Sequence, residues 1–106
     1  MSEIKNTSIL IVDDEREITD LLELYLKNEG YKVYKFYEAK DVIKCVEENE
    51  IDLAILDVML PDKDGFTLCR ELREHWYFPI IMLTAKVADK EYYIRGLEVS
   101  EKNHTY

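Results

Sequence analysis

Cysteine, proline, glycine and histidine are all scarce in this chain of 106 residues, with 2, 2, 3 and 2 copies, and each shortage excludes something. Cys45 and Cys69 are too few and too isolated for a disulfide framework; each falls at a core-like position of a helical pattern and reads as a buried free thiol. So little glycine and proline leaves no room for long irregular stretches. No glycine-rich loop follows the first apolar run, so a nucleotide-binding fold has no footing. No apolar run approaches the ~20 residues of a membrane span. Met1 to Ser8 carries no apolar signal region, and the chain is read as cytoplasmic. Basic residues are outnumbered, 14 Lys and Arg against 23 Asp and Glu, for a net charge of -9. Nucleic-acid affinity comes largely from Lys and Arg neutralising phosphates, so direct nucleic-acid binding is not expected.

What is present suits one soluble domain over residues 1–106, large enough to bury a core without metal or disulfide staples. Hydrophobic periodicity switches repeatedly between two kinds. Ile9 to Val12 is a short apolar run that reads as a strand buried on both faces. Ile18, Leu21, Leu22, Tyr25 and Leu26 then mark one face of a helix, with Gly30 as its stop. Lys32 to Phe36 alternates like an edge strand. Ala39, Val42, Ile43 and Val46 mark a second helix, and Ile51 to Leu56 a third strand ending at Asp57. A loop from Met59 to Gly65 leads to a third helix with Phe66, Cys69 and Leu72 inward. Ile80 to Leu83 forms a fourth strand ending at Thr84. Tyr93, Ile94 and Leu97 suggest a fourth helix over 89–99. Such alternation predicts an α/β fold, a doubly wound parallel sheet with helices on both faces. Its ligand site lies beyond the carboxyl ends of the strands.

The carboxylates fall at those ends. Asp13 and Asp14 follow the first strand, Asp57 the third, and Thr84 the fourth. Either Asp13 or Asp14 alone could simply cap the first helix. Three carboxylates converging at one place repel each other, and a hard divalent cation such as Mg2+ relieves that repulsion. No Cys or His stands near them, which argues against zinc. With the charge shielded, Asp57 could attack phosphorus as a carboxylate nucleophile. An aspartate-nucleophile phosphatase would need a second Asp two residues on as general acid, and Met59 occupies that place. The chain is therefore not read as an enzyme.

Ile9-Leu10-Ile11-Val12-Asp13-Asp14-Glu15, Leu56-Asp57-Val58-Met59-Leu60-Pro61 with Asp64-Gly65, and Pro79-Ile80-Ile81-Met82-Leu83-Thr84-Ala85 together resemble the receiver domains of bacterial two-component response regulators. Met-Leu-Pro after the aspartate is most like the subfamily with a winged-helix (OmpR-type) DNA-binding output domain. Within it the sequence is similar to the VanR-type regulators of glycopeptide resistance. The resemblance implies a flavodoxin-like receiver fold with strand order 2-1-3-4. It makes Asp57 the phosphoacceptor, fed by a sensor histidine kinase. Asp14, Asp57 and the backbone carbonyl of Met59 would ligate Mg2+, Asp13 would act through water, and Thr84 would contact the phosphoryl group and switch.

The family pattern continues with a fifth strand, a lysine followed by proline, and a fifth helix, whereas this sequence stops at Tyr106. Aligned without gaps, His104 takes the place of the family's switch aromatic. Lys102 is out of register for the lysine, whose ammonium would pair with the phosphoryl group. The expectation is a receiver truncated before that lysine, with its fifth strand and helix missing or incomplete; the alternative is a receiver-like interaction protein impaired in phosphorylation. An open fourth-strand edge invites self-association, so a homodimer is expected through that edge or through the fourth helix.

Overall fold

The computed structural model describes residues 7–86 and 91–100, with side chains through Leu83. The elements run β1 (Ser8–Val12), α1 (Arg16–Asn28), β2 (Lys32–Phe36), α2 (Val42–Glu48), β3 (Leu53–Asp57), α3 (Gly65–Arg73), β4 (Ile80–Lys86) and β5 (Glu91–Ser100). The sheet order is β2-β1-β3-β4-β5. The first four strands are parallel, in the predicted order 2-1-3-4.

Every residue of β1 is buried, as its unbroken apolar run requires. The side chains divide by parity. Leu10, Val12, Ala54, Leu56, Ile80 and Met82 join Val42 and Val46 of α2 and Leu68, Cys69 and Leu72 of α3 in one core. Ile9 and Ile11, also buried, belong to the opposite face, where α1 packs on β1 and β2. Both cysteines are buried free thiols. β2 is the edge strand that its alternation predicts, exposed at Lys32 and half-buried beyond it.

Three expectations are corrected. First, no fourth helix forms over the described part of residues 89–99. Glu91–Ser100 is instead a strand, antiparallel to β4, with Lys86 opposite Glu91, Leu83 opposite Ile94 and Ile80 opposite Ser100; the register shifts between Ile81 and Leu83. Tyr92, Tyr93, Ile94 and Val99 suit a strand, Gly96 is unfavourable inside a helix, and pairing satisfies the backbone groups along β4. Second, the fourth-strand edge is therefore covered by β5, so neither surface named for a homodimer, the open edge or the fourth helix, is found among the described residues. Third, the core-facing stripe of α1 is narrower than its apolar pattern. Ile18, Leu22 and Leu26 are half-buried, but Leu21 and Tyr25 are 52% and 62% exposed. The helix lies over β1 and β2 only, so its far flank has no cover among the described residues. Lys102 and His104 lie outside the described residues.

Candidate functional site

Parallel pairing sets the site. Val12 stands opposite Leu56 in the neighbouring strand, so Asp13 and Asp57 leave the sheet side by side at its carboxyl end. One oxygen each from Asp13, Asp14 and Asp57 lie within 4.8 Å of one another. Asp13 and Asp57 are buried, at 0% and 2% exposure, while Asp14 is exposed. The three carboxylates predicted from strand ends thus do converge.

Each buried carboxylate is aimed by its own backbone. The Asp13 amide donates to the Phe36 carbonyl at 3.0 Å, tying it to the end of β2. Its Oδ1 accepts from the Glu15 amide at 2.9 Å, a turn that short acidic side chains favour. Its Oδ2 is buried with no hydrogen-bond partner. Asp13 does not cap α1 in the simple sense, since the N-cap is Glu15, whose own side chain makes no capping bond. At Asp57, Oδ1 accepts from the Met59 amide at 3.2 Å.

Burial pushes the Asp57 carboxyl up from 3.8 to about 7, helped by the negative charge of Asp13. Asp13 is also raised, by burial first. Two buried acids this close cannot both ionise cheaply without a cation or a shared proton. The unmet Asp13 Oδ2, on a residue of an all-oxygen cluster, is what a hard divalent cation or a water carried by it would satisfy.

The loop after β3 is held from both sides. The Asp62 carboxylate accepts from the Ala39 amide at 2.9 Å, Asp64 Oδ1 caps α3 through the Phe66 amide at 2.7 Å, and Met59 bridges to Asp64. Met59 is 61% exposed beside the cluster. An open cleft of about 390 Å³ adjoins it, lined by Asp14, Arg16, Lys35, Tyr37 and Pro61 among others. The Arg16 guanidinium rests 3.9 Å from the centre of the Tyr37 ring.

Thr84 does not stand past the end of β4, as the apolar run suggested, but inside it, because pairing with β5 carries the strand on to Lys86. Its backbone follows Leu83, which is opposite Asp57 and whose carbonyl accepts from the Val58 amide at 2.9 Å. Its side chain lies outside those described. Two residues to which the sequence reading gave no role matter here. Gly65 packs directly on the Asp57 backbone, and Thr19 hydrogen-bonds behind Asp13. A threonine on the buried side of a helix was the available signal for the second.

Four parallel strands with an acidic cluster at the carboxyl ends of the neighbouring β1 and β3 define a receiver-type signalling module. The response regulator receiver domain family matches residues 9–103, and the chain belongs to that family. It is 52% identical over 96 residues to the regulatory protein VanR of Enterococcus faecium, covering 91% of this chain and 41% of that protein. Among solved structures, the activated receiver domain of Klebsiella pneumoniae RstA superposes with a TM-score of 0.71 at 36% identity, covering 76% of this chain and 68% of that one. The Thermotoga maritima response regulator TrrA, solved in complex with Mg(2+)-BeF, gives 0.69 at 34% identity over 77% and 72%. The chain thus spans well under half the length of VanR. No helix among the described residues is long and apolar enough to cross a membrane.

Proposed function

We propose that this chain is the phosphoacceptor module of a two-component response regulator, phosphorylated on Asp57 by a sensor histidine kinase in the cytoplasm. The observation that carries the reading is the buried, unpartnered Asp13 Oδ2, set among three carboxylates at the ends of adjacent strands. Those residues fit Mg2+. Asp14, Asp57 and the Met59 carbonyl would hold it, with Asp13 acting through water. When bound, the cation supplies charge neutralisation that lets an anionic phosphoryl donor approach.

The chain's own part is to present the nucleophile. The Met59 amide holds one Asp57 oxygen, leaving the other to form the bond to phosphorus as the bond to the leaving group breaks. The product is an acyl phosphate, and Thr84 is assigned to contact its oxygens. Such a cycle changes surface contacts and is not turnover of a metabolite, so the chain is read as a signalling module and not an enzyme. Its similarity to VanR supports transcription regulation as the output of the whole protein.

The test is mass spectrometry of the chain treated with a small-molecule phosphodonor and Mg2+, beside Asp57→Asn. Labelling that needs Mg2+ and disappears in the variant is expected. Undiminished labelling of Asp57→Asn would refute the assignment.

A further inference from the structure

We infer that Thr19, a residue of α1 outside the carboxylate cluster, is a positioning residue for the cation site; this rests on the Mg2+ reading above. Its side chain is fully buried. The hydroxyl lies 2.8 Å from two carbonyl oxygens, those of Glu15 and Asp13. A hydroxyl has one proton to give. The Glu15 carbonyl is four residues back and already accepts from the Thr19 amide at 3.0 Å, so the familiar threonine back-bond within a helix is redundant here. The Asp13 carbonyl is six residues back, ahead of the helix. Among the described residues the Thr19 hydroxyl is its one hydrogen-bond donor. The proton therefore belongs to Asp13.

That bond completes the restraint of Asp13. Its amide is tied to Phe36, one side-chain oxygen to Glu15, and its carbonyl to Thr19. The remaining oxygen, Oδ2, is buried and without a hydrogen-bond partner, on a residue of the three-carboxylate cluster. The Asp13 carbonyl also opens the peptide that leads to Asp14, so the same hydroxyl fixes the start of the segment carrying the second carboxylate. Removing it leaves a buried carbonyl without a partner, which the turn can relieve only by rotating that peptide and, with it, both acids.

The chain and its Thr19→Val and Thr19→Ser variants should be titrated with Mg2+ by calorimetry, each first shown to melt cooperatively. Valine keeps the shape and drops the donor, while serine keeps the donor and drops the methyl. The expected result is Mg2+ affinity weakened roughly tenfold in Thr19→Val, the low end for loss of a group that orients metal ligands, and restored in Thr19→Ser. If the valine variant does not fold, Thr19→Ala is compared with Thr19→Ser in its place. Equal affinity in the hydroxyl-free and wild-type chains overturns the role of Thr19 alone. Absence of Mg2+ binding by the wild-type chain overturns the cation reading, and with it this one.

Discussion

Gly65 begins α3 against the backbone of Asp57, so close that a β-carbon on it would overlap the Asp57 carbonyl oxygen and stand 2.9 Å from the Val58 Cα. Its amide donates to the Val58 carbonyl at 2.8 Å. The glycine is there for close approach, since both atoms in the way are backbone and cannot swing aside. Gly65→Ala must push α3 away from β3 or bend the strand end that carries Asp57. A loss of at least about 1–3 kcal/mol is expected, as for other insertions into packed sites, measured by urea denaturation. A variant as stable as the parent would show that the helix start can shift freely.

The neighbouring Asp64 tests the same junction from outside. Its carboxylate caps α3 through the Phe66 amide at 2.7 Å, and its own carbonyl accepts from Leu68 at 3.0 Å. Asp64→Ala should lower stability by about 1 kcal/mol, the usual loss for a cap. Asp64→Asn should recover most of it, because an amide oxygen can accept the same bond. Thermal melts of the three chains decide this. Equal losses in both variants would mean that charge and not capping matters.

These junctions mark how far the sequence could be read. The parallel strands were legible because a strand buried on both faces has no polar alternation, and Ile9 to Val12 and Ala54 to Leu56 show none. Their order came with the family resemblance, and the convergence of Asp13, Asp14 and Asp57 followed from their places at the strand ends. The segment holding Tyr93, Ile94 and Leu97 was not legible, because short apolar spacings of this kind satisfy helix and strand alike. What settles it is a non-local need, the unpaired edge of β4. Placing Thr84 past the strand end failed for the same reason. Leu21 and Tyr25 fit the apolar stripe of α1, but which flank of a stripe is covered depends on where the helix lies across the sheet. Gly65 reads as one more loop glycine until α3 is seen against Asp57.

The cysteines give a prediction of a different kind. Cys45 and Cys69 are each 8% exposed, and burial pushes the Cys45 thiol up. A buried, protonated thiol is a poor nucleophile. Neither should react with a thiol-specific reagent in the native chain, and both should react once denaturant is added. Rapid native labelling of Cys45, read by intact mass, would show that α2 opens away from the core on the timescale of the reaction.

The acidic cluster makes stability depend on pH in the direction opposite to ordinary surface carboxylates. The Asp57 carboxyl titrates near 3.8 when unfolded and at about 7 when folded. Between those values the folded chain holds a proton that the unfolded chain has released, so stability falls as pH rises across that window. Asp13, raised as well, acts in the same sense. Asp20 and Glu23 are lowered by hydrogen bonds, Asp20 with Tyr37 and Lys35, Glu23 with Lys35 and Lys27; their opposite contribution is lost only as pH falls below about the ordinary carboxylate range. With chelator present, the melting temperature should therefore drop from mildly acidic to neutral pH, and Asp57→Asn should flatten that slope. Added Mg2+ should restore stability most above about pH 7, where it meets ionised carboxylates. As pH falls through the window, protons compete, and the apparent Mg2+ affinity should weaken by up to about tenfold per pH unit. Melting curves over pH with and without Mg2+ measure both effects. A metal-free chain that grows more stable toward neutral pH would show that Asp57 is ionised in the folded state and that the cluster is relieved by something other than a proton.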